Sequence, residues 1–357
     1  MKVLLARCDR LGDLVLALPA FAWLRACRPD WEIHALVASP AAPLVENDPA
    51  IDAFYCWDGG DDVALTGRIA GENYDAAALL QYQTPLARLL RRAGIPRRYG
   101  PLSKFSSWLL LNRGRWQRRS RVARHECDFN LDLVRPLTGA AAATTPVPRP
   151  RVWLGEVQRQ AARRFRAEAA AGASTVAFVH PGSGGSALDW DPAHYAAVAN
   201  ALARRPGWRV FVTGSHHDRL VIDALAPELN PQVEVIAERY PLREFLGVLA
   251  AGDLIVAPST GPLHLAAALD LAALGLYPPA PTMSPRRWGP LGRWAQAITP
   301  PVDCPARRHC LLQHCLLYNC LEGILPSRIV DQAVAMVDQR RRDTAATDPV
   351  AGNRGDL

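Results

Sequence analysis

The chain has 357 residues, 49% of them hydrophobic and 21% charged, a globular composition that at roughly 100–200 residues per domain predicts two domains. The longest apolar run, residues 14–24, is shorter than the ~20 residues that span a bilayer, and Arg7, Asp9, Arg10 and Asp13 interrupt what a secretory leader would keep apolar, so a cytoplasmic protein is expected. The formal charge of +7 favours anionic partners, and eight cysteines in a chain of this length do not make a disulfide scaffold.

The first half alternates short apolar runs with helical patterns. Residues 3–6 read as a strand, 14–27 as a helix with Pro19 as a kink or cap, and 32–37, 53–57 and 76–80 as three more strands. This β-α-β-α rhythm predicts a parallel, doubly wound sheet. The first strand runs into ARCDRLGD and a helix. Gly12 permits the tight turn, and Asp13 falls at the helix start, where a carboxylate caps backbone N–H groups and is held ionised by the helix dipole. Asp13 is either an ordinary N-cap or a general base; Asp9 is a second carboxylate in the same loop.

Between Arg88 and Arg124 lie twelve Lys and Arg and no Asp or Glu, and without them the net charge would be −5 rather than +7. Such a segment is either a solvated face or an attractor of phosphorylated lipid, acidic glycan or nucleic acid. Residues 139–152, GAAAATTPVPRPRV, can continue neither a helix nor a central strand, and the domain boundary is placed there: a first domain over 1–150 and a second over 151–335.

The second half repeats the rhythm. Strands are predicted at 175–180, 209–213, 233–237, 254–257 and 273–277, with helices starting near Pro192, His216, Leu242 and Gly261 and a last amphipathic helix over 324–342. Residues 343–357 are polar and predicted to be disordered. The first strand of this half ends in HPGSGG, which places Gly182, Ser183, Gly184 and Gly185 where backbone amides can approach a phosphate; an ordinary turn fits equally well. At 257–269, APSTGPLHLAAAL, Ser259 or Thr260 caps a small-residue helix, Gly261 leaves room for close approach, and the free N–H groups suit a diphosphate. His264 lies one turn in, either as a packed core histidine or as a phosphate contact. In open α/β sheets ligands bind beyond the carboxyl ends of the strands, and all these loops are predicted to lie there.

Cys304, Cys310, Cys315 and Cys320 are spaced C-x₅-C-x₄-C-x₄-C with His309 and His314 between them. Tetrahedral zinc sites use tighter pairs, so reduced thiols or an opportunistic disulfide are expected ahead of a bound metal.

Taken in order, these motifs have a family likeness. RCDRLGDLVLALPA resembles the N-terminal signature of family-9 glycosyltransferases, the heptosyltransferase family; STGPLHLAAAL resembles its second signature, HPGSGG with Trp190 its H-P-G loop, and HECDFNLDLVRPLTG its H-x-x-x-x-N stretch. The resemblance implies a GT-B fold: two Rossmann-like, doubly wound domains facing across a cleft, the first for the acceptor and the second for a nucleotide sugar. It implies inverting transfer of heptose, usually from ADP-heptose, onto a lipopolysaccharide core or related surface glycan, with Asp13 as catalytic base and no metal or cofactor. Donor contacts would come from Gly182, Ser183, Gly184, Gly185, Ser259, Thr260, Gly261, His264 and Asp218, the last standing near a position where relatives often have Glu. Acceptor contacts would come from Asp9, Arg10, Arg97, Arg98 and Lys104. Leu188 stands where relatives often carry Lys, and Ser259 where many carry Asp; Arg286 and Arg287 are candidates to supply the missing charge. The acceptor would be met near the inner membrane surface, as a peripheral contact.

A GT-B sugar-nucleotide epimerase and a non-catalytic binder of nucleotide sugars or nucleic acid are the alternatives. Tyr99, Phe105, Trp108 and Trp116 could stack bases, but apolar runs such as WLLLN point to lipid or burial, so no nucleic acid is expected.

Overall fold

The computed structural model describes residues 1–139, 144–184, 188–306, 309–311, 314–317 and 319–347. The chain divides into two compact units, Met1–Trp153 and Leu154–Leu357.

In the first unit six strands, β1 (Lys2–Arg7), β2 (Glu32–Val37), β3 (Ala53–Cys56), β4 (Ala76–Leu79), β5 (Arg97–Pro101) and β6 (Arg113–Arg115), form one sheet in the order β3-β2-β1-β4-β5-β6, and every pairing is parallel. Six helices accompany them: α1 (Leu11–Val15), α2 (Leu18–Cys27), α3 (Val63–Gly71), α4 (Thr84–Arg92), α5 (Phe105–Leu110) and α6 (Glu126–Thr138). Strands covered on both faces must be apolar throughout, and β1 and β4 are buried almost end to end.

The second unit repeats the plan with β7 (Thr175–Val179), β8 (Trp208–Val212), β9 (Val233–Val235), β10 (Leu254–Pro258), β11 (Ala272–Leu276) and β12 (Ala295–Ile298), ordered β12-β11-β10-β7-β8-β9. Its helices are α7 (Glu156–Glu168), α8 (Pro192–Ala203), α9 (Arg219–Leu225), α10 (Leu242–Ala250), α11 (Gly261–Ala268), α12 (Pro285–Trp288) and α13 (Pro326–Thr347). Both sheets are wound 3-2-1-4-5-6 in their own strand numbering, so each has a topological switch point, between β1 and β4 and between β7 and β10. Such a point opens a crevice beyond the strands' carboxyl ends, where ligands bind.

Four expectations change. The helix over 14–27 is two helices: Leu16 and Ala17 separate α1 from α2, and Pro19 sits in the first turn of α2, where its missing N–H costs nothing. The first half holds two strands more than the four expected, β5 and β6, both inside the basic segment with α5 between them. An edge strand, β12, follows the five predicted in the second unit. The disorder predicted from residue 343 does not begin there, because α13 continues to Thr347, where Asp343 accepts from Trp294 Nε1 at 3.0 Å and from Gln339 Nε2 at 2.6 Å. Residues 348–357 of that tail lie outside the described residues.

Among the described residues no helix is long and apolar enough to cross a membrane.

Candidate active site

At the first switch point β1 ends in a buried arginine. Arg7 is 2% exposed, and its guanidinium is shared among three carboxylates: Nε donates to Asp9 Oδ1 at 2.7 Å, Nη2 to Asp13 Oδ1 at 2.9 Å and Nη1 to Glu126 Oε1 at 3.1 Å. Nη1 also donates to Asn130 Oδ1 at 2.9 Å, and the Asn130 amide donates to Leu16 O at 3.1 Å, behind α1. Glu126, fully buried, further accepts from Arg119 Nη1 at 2.5 Å, while Arg119 Nη2 holds Leu80 O at the end of β4. A buried arginine with its donors taken by carboxylates holds its fork rigid, so the direction of Asp13 is fixed by groups that do not react.

Asp13 lies in the first turn of α1, whose N-cap Arg10 makes no side-chain capping bond. Its carboxyl is pushed up to about 6. Burial is the main cause, the Arg7 charge opposes it, and the negative charges of Asp9 and Glu126 add to it. A carboxylate with that proton affinity is ionised at neutral pH and basic enough to accept a proton. Arg7 itself titrates above its ordinary value, because its carboxylate partners outweigh the effect of burial. Arg10 is exposed beside this loop and favours the ionised form of Asp13.

The arginines proposed for the acceptor divide. Lys104 is exposed and follows β5 at its carboxyl end, the end at which Asp13 lies. Arg97 and Arg98 open β5 instead, paired in register with Ala76 and Ala77 near the amino end of β4. Arg97 Nε donates to Asp75 O at 3.1 Å, and Arg98 Nε to Leu110 O at 2.9 Å. They brace the opposite edge of the sheet and are not brought to Asp13, so the sequence assignment of these two as acceptor contacts is corrected.

At the second switch point the HPGSGG loop leaves β7. His180 is buried, with Nδ1 3.0 Å from Thr213 Oγ1, and burial lowers its proton affinity. Gly182 has no room for a side chain, since a Cβ there would lie 1.8 Å from Asp218 Oδ1. Ser183 is buried, Gly184 takes a left-handed φ of +53°, and Gly185 lies outside the described residues. Asp218 is also buried, and its Oδ2 accepts from Ser215 N at 2.8 Å and Ser215 Oγ at 2.7 Å. Most of its bonding capacity therefore closes the turn after β8.

Beside this loop β10 ends at Pro258 and α11 begins. Thr260 is the N-cap by position, but its hydroxyl donates to Pro258 O at 3.2 Å and makes no capping bond. Pro262 contributes no N–H, so the helix start offers the amides of Gly261 and Leu263 beneath the positive end of the dipole. His264 is buried in the first turn. The Tyr277 hydroxyl hydrogen-bonds with Ser259 and donates to Trp288 O at 2.6 Å. It thereby ties the Ser259 loop to α12, which carries Arg286 and Arg287. Leu188, where a Lys was expected, packs partly buried against the core of this unit.

The sequence reading gave no site role to Arg7, Arg119, Glu126 or Asn130, which it saw only as letters in motifs or as unassigned charges. An arginine closing an apolar strand beside two acids was the available signal for Arg7.

All eight cysteines are free thiols. Cys304, Cys310, Cys315 and Cys320 line one cavity with Leu188, Pro278 and Pro279. Among the described residues, however, only Glu32, His34 and Glu72 place three ligand atoms within 4.8 Å of one another. That trio is at the amino edge of the first sheet, and its glutamates are already bound by the Lys2 ammonium.

The sequence profile of glycosyltransferase family 9 (heptosyltransferase) matches residues 63–315. A Haemophilus influenzae protein named "Putative glycosyltransferase" is 33% identical over 298 residues, covering 81% of this chain and 86% of its own. Lipopolysaccharide heptosyltransferase 2 of Salmonella typhimurium is 24% identical over 317 residues, covering 84% of this chain and 88% of its own. Among solved structures, Escherichia coli ADP-heptose lipopolysaccharide heptosyltransferase II superimposes with a TM-score of 0.79 at 23% identity, covering 96% of this chain and all of that one. The fold is thus the GT-B arrangement of two Rossmann-like domains.

Proposed function

The chain belongs to glycosyltransferase family 9, and from that premise we propose that it transfers heptose from ADP-heptose to a lipopolysaccharide core or related surface-glycan acceptor, with Asp13 as general base. The observation that carries the reading is the Asp13 carboxyl itself: half-buried, aimed by Arg7, and poised at about 6 at a sheet's switch point. An acceptor hydroxyl is a poor nucleophile until it loses its proton. Asp13 takes that proton as the oxygen attacks the anomeric carbon, the bond from that carbon to the diphosphate breaks, and the configuration inverts in a single displacement. ADP leaves with added negative charge. The amides at the start of α11 and in the Gly182–Ser183–Gly184 turn stabilise that charge, with Ser259, Thr260 and His264 around it and Arg286 and Arg287 as further counter-charge. Asp218 supports the turn from behind. On the acceptor side Asp9, Arg10 and Lys104 are the contacts at the carboxyl ends of the strands, the cations suiting phosphorylated or acidic core sugars. The first unit thus serves the acceptor and the second the nucleotide sugar.

The choice of donor is supported by a relative's name, since ADP-heptose and lipopolysaccharide stand in that of the solved Escherichia coli protein. The test is a nucleotide-release assay with extracted core oligosaccharide as acceptor, comparing ADP-heptose with UDP- and GDP-sugars. Release of ADP from ADP-heptose that requires the acceptor is expected. Preference for a UDP- or GDP-sugar would sink the donor assignment and leave the base assignment standing.

A further inference from the structure

Of the seven large apolar side chains exposed on the described residues of the first unit, four fall within residues 105–116. Phe105 is 81% exposed, Trp108 58% and Leu109 62%, all on the short helix α5, and Trp116, just past β6, is 66% exposed. The backbone brings the two segments together: Leu102 N–H donates to Arg115 O at 2.8 Å, so the chain entering α5 leaves the sheet beside the residues entering Trp116. The pairing is close enough that a Cβ on Gly114 would fall 2.2 Å from Leu102 Cδ2.

Cations flank these aromatics along the chain, Lys104 before Phe105 and Arg113, Arg115 and Arg118 on either side of Trp116. Of the twelve in the segment, Arg92, Arg119 and Arg124 reach out to Asp61, Glu126 and Asp132. Arg88, Arg113, Arg115, Arg118 and Arg121 are exposed and have no ion pair among the described residues. An apolar patch on a monomeric surface marks an interaction site. Exposed Trp and Phe interleaved in the chain with exposed arginines match the polar–apolar boundary of a bilayer with anionic headgroups: rings enter the acyl boundary while guanidinium groups stay with the phosphates. A protein partner would be expected to meet a charge-depleted centre, and here the charge is dense and of one sign.

Location adds to this. Phe105 and Trp116 follow the carboxyl ends of β5 and β6, and Asp13 follows that of β1 in the same sheet. At about 4.8 Å per strand, β5 and β6 stand roughly 10–15 Å from β1 along the sheet. We propose that Phe105, Trp108, Leu109 and Trp116, with Arg113, Arg115 and Arg118, form a surface that seats the protein on an anionic membrane. The active loop of the first unit is then held at headgroup height, where a lipid-borne acceptor presents its sugars. The docking surface rests on exposure and charge, and it stands whether or not the donor is ADP-heptose.

The full chain is mixed with sedimentable vesicles of phosphatidylethanolamine and phosphatidylglycerol, or of phosphatidylcholine alone. Binding to the anionic vesicles and little to phosphatidylcholine is expected. The Phe105→Ser/Trp108→Ser and Trp116→Ser variants, altered only at exposed positions, should bind about ten-fold less, and Arg113→Gln/Arg115→Gln should bind less with a shallower salt dependence. Turnover of a soluble, lipid-free acceptor should be unchanged in all of them, while turnover of acceptor embedded in vesicles falls. Aromatic variants that sediment like the parent overturn the proposal, as does a parent chain that runs as a dimer which these variants dissolve. If no nucleotide sugar supports turnover at all, the function fails and the vesicle result still decides the surface.

Discussion

The two units are wound alike, yet their switch points are furnished in opposite ways. Beyond β1 five ionisable groups converge: Arg7, Asp9, Asp13, Glu126 and Arg119. Beyond β7 and β10 the groups are two buried imidazoles, His180 among them discouraged by burial from taking a proton, hydroxyls, glycines and helix-start amides, and the carboxylate packed behind the turn, Asp218, is bound by Ser215. The fold decides where ligand chemistry is done, and the residues decide its sign. A base needs negative charge whose proton affinity is tuned by neighbours, and the first unit supplies three carboxylates about one guanidinium. A diphosphate needs donors without competing negative charge, and the second unit supplies backbone dipoles. This contrast can be broken from either side.

The largest effect is expected from Asp13→Asn. The amide still accepts from Arg7 but cannot take a proton, so kcat should fall by about 10²–10⁴-fold, with donor KM within about three-fold of the parent. Stability should move the other way. The Asp13 carboxyl is raised to about 6 in the fold, against about 3.9 in an unfolded chain. Its contribution to stability is therefore complete below about pH 3.9 and lost as pH rises through about 6. At pH 7 the parent carries a cost that the variant lacks, so the Tm advantage of Asp13→Asn should grow between pH 4 and 7. A variant that loses Tm throughout would show that Asp13 serves chiefly to hold Arg7, with which it pairs, and not to take a proton.

On the other side, Gly182→Ala drives a methyl group into Asp218 and loosens the turn that Asp218 closes. ADP affinity should weaken about ten-fold, with overpacking lowering stability by about 1–3 kcal/mol, while kcat at saturating donor holds. The checks are calorimetric titration with ADP and a thermal melt. If kcat falls and affinity does not, the second switch point is not a simple diphosphate holder.

What could be read from the sequence was local. The loops at Gly12–Asp13, His180–Gly184 and Ser259–His264 show in the chain because glycine, proline and a capping hydroxyl mark the ends of strands a few residues away. What could not be read was long-range. Arg7 meets Glu126 and Asn130 across 119 and 123 residues of sequence, a convergence that no periodicity encodes. Arg97 and Arg98 were misplaced for a related reason: RRYGP contains Gly and Pro, which argue against a strand, so β5 went unseen, and with it the fact that its first residues face the wrong edge. The far end of α13 was judged by its polarity, whereas the Trp294–Asp343 bond extends the helix. Short-range chemistry thus located the loops, and tertiary pairing decided what each charge near them does.

Glu126→Gln should give the smallest effect, and it asks whether the network tunes the base or only holds it. The Glu126 charge helps raise Asp13, so neutralising it lowers the Asp13 proton affinity, and Arg7 and Arg119 can still donate to the amide oxygen. A group titrating at about 6 is already about nine-tenths ionised at pH 7, so the rate there should change by less than about two-fold, and downwards if at all, because a weaker base removes a proton less well. The difference belongs at low pH. The acid limb of kcat/KM, which reports the free enzyme, should move below its parent position near 6, leaving the variant relatively more active at pH 5. A displaced limb with a nearly unchanged plateau makes Glu126 an electrostatic tuner of the first switch point. A limb that stays put means either that Asp13 is not the group titrating in the rate or that the Glu126 charge is already cancelled by its two arginines, and Asp9→Asn separates these, because Asp9 also raises Asp13 and, among the described residues, pairs with one arginine, Arg7.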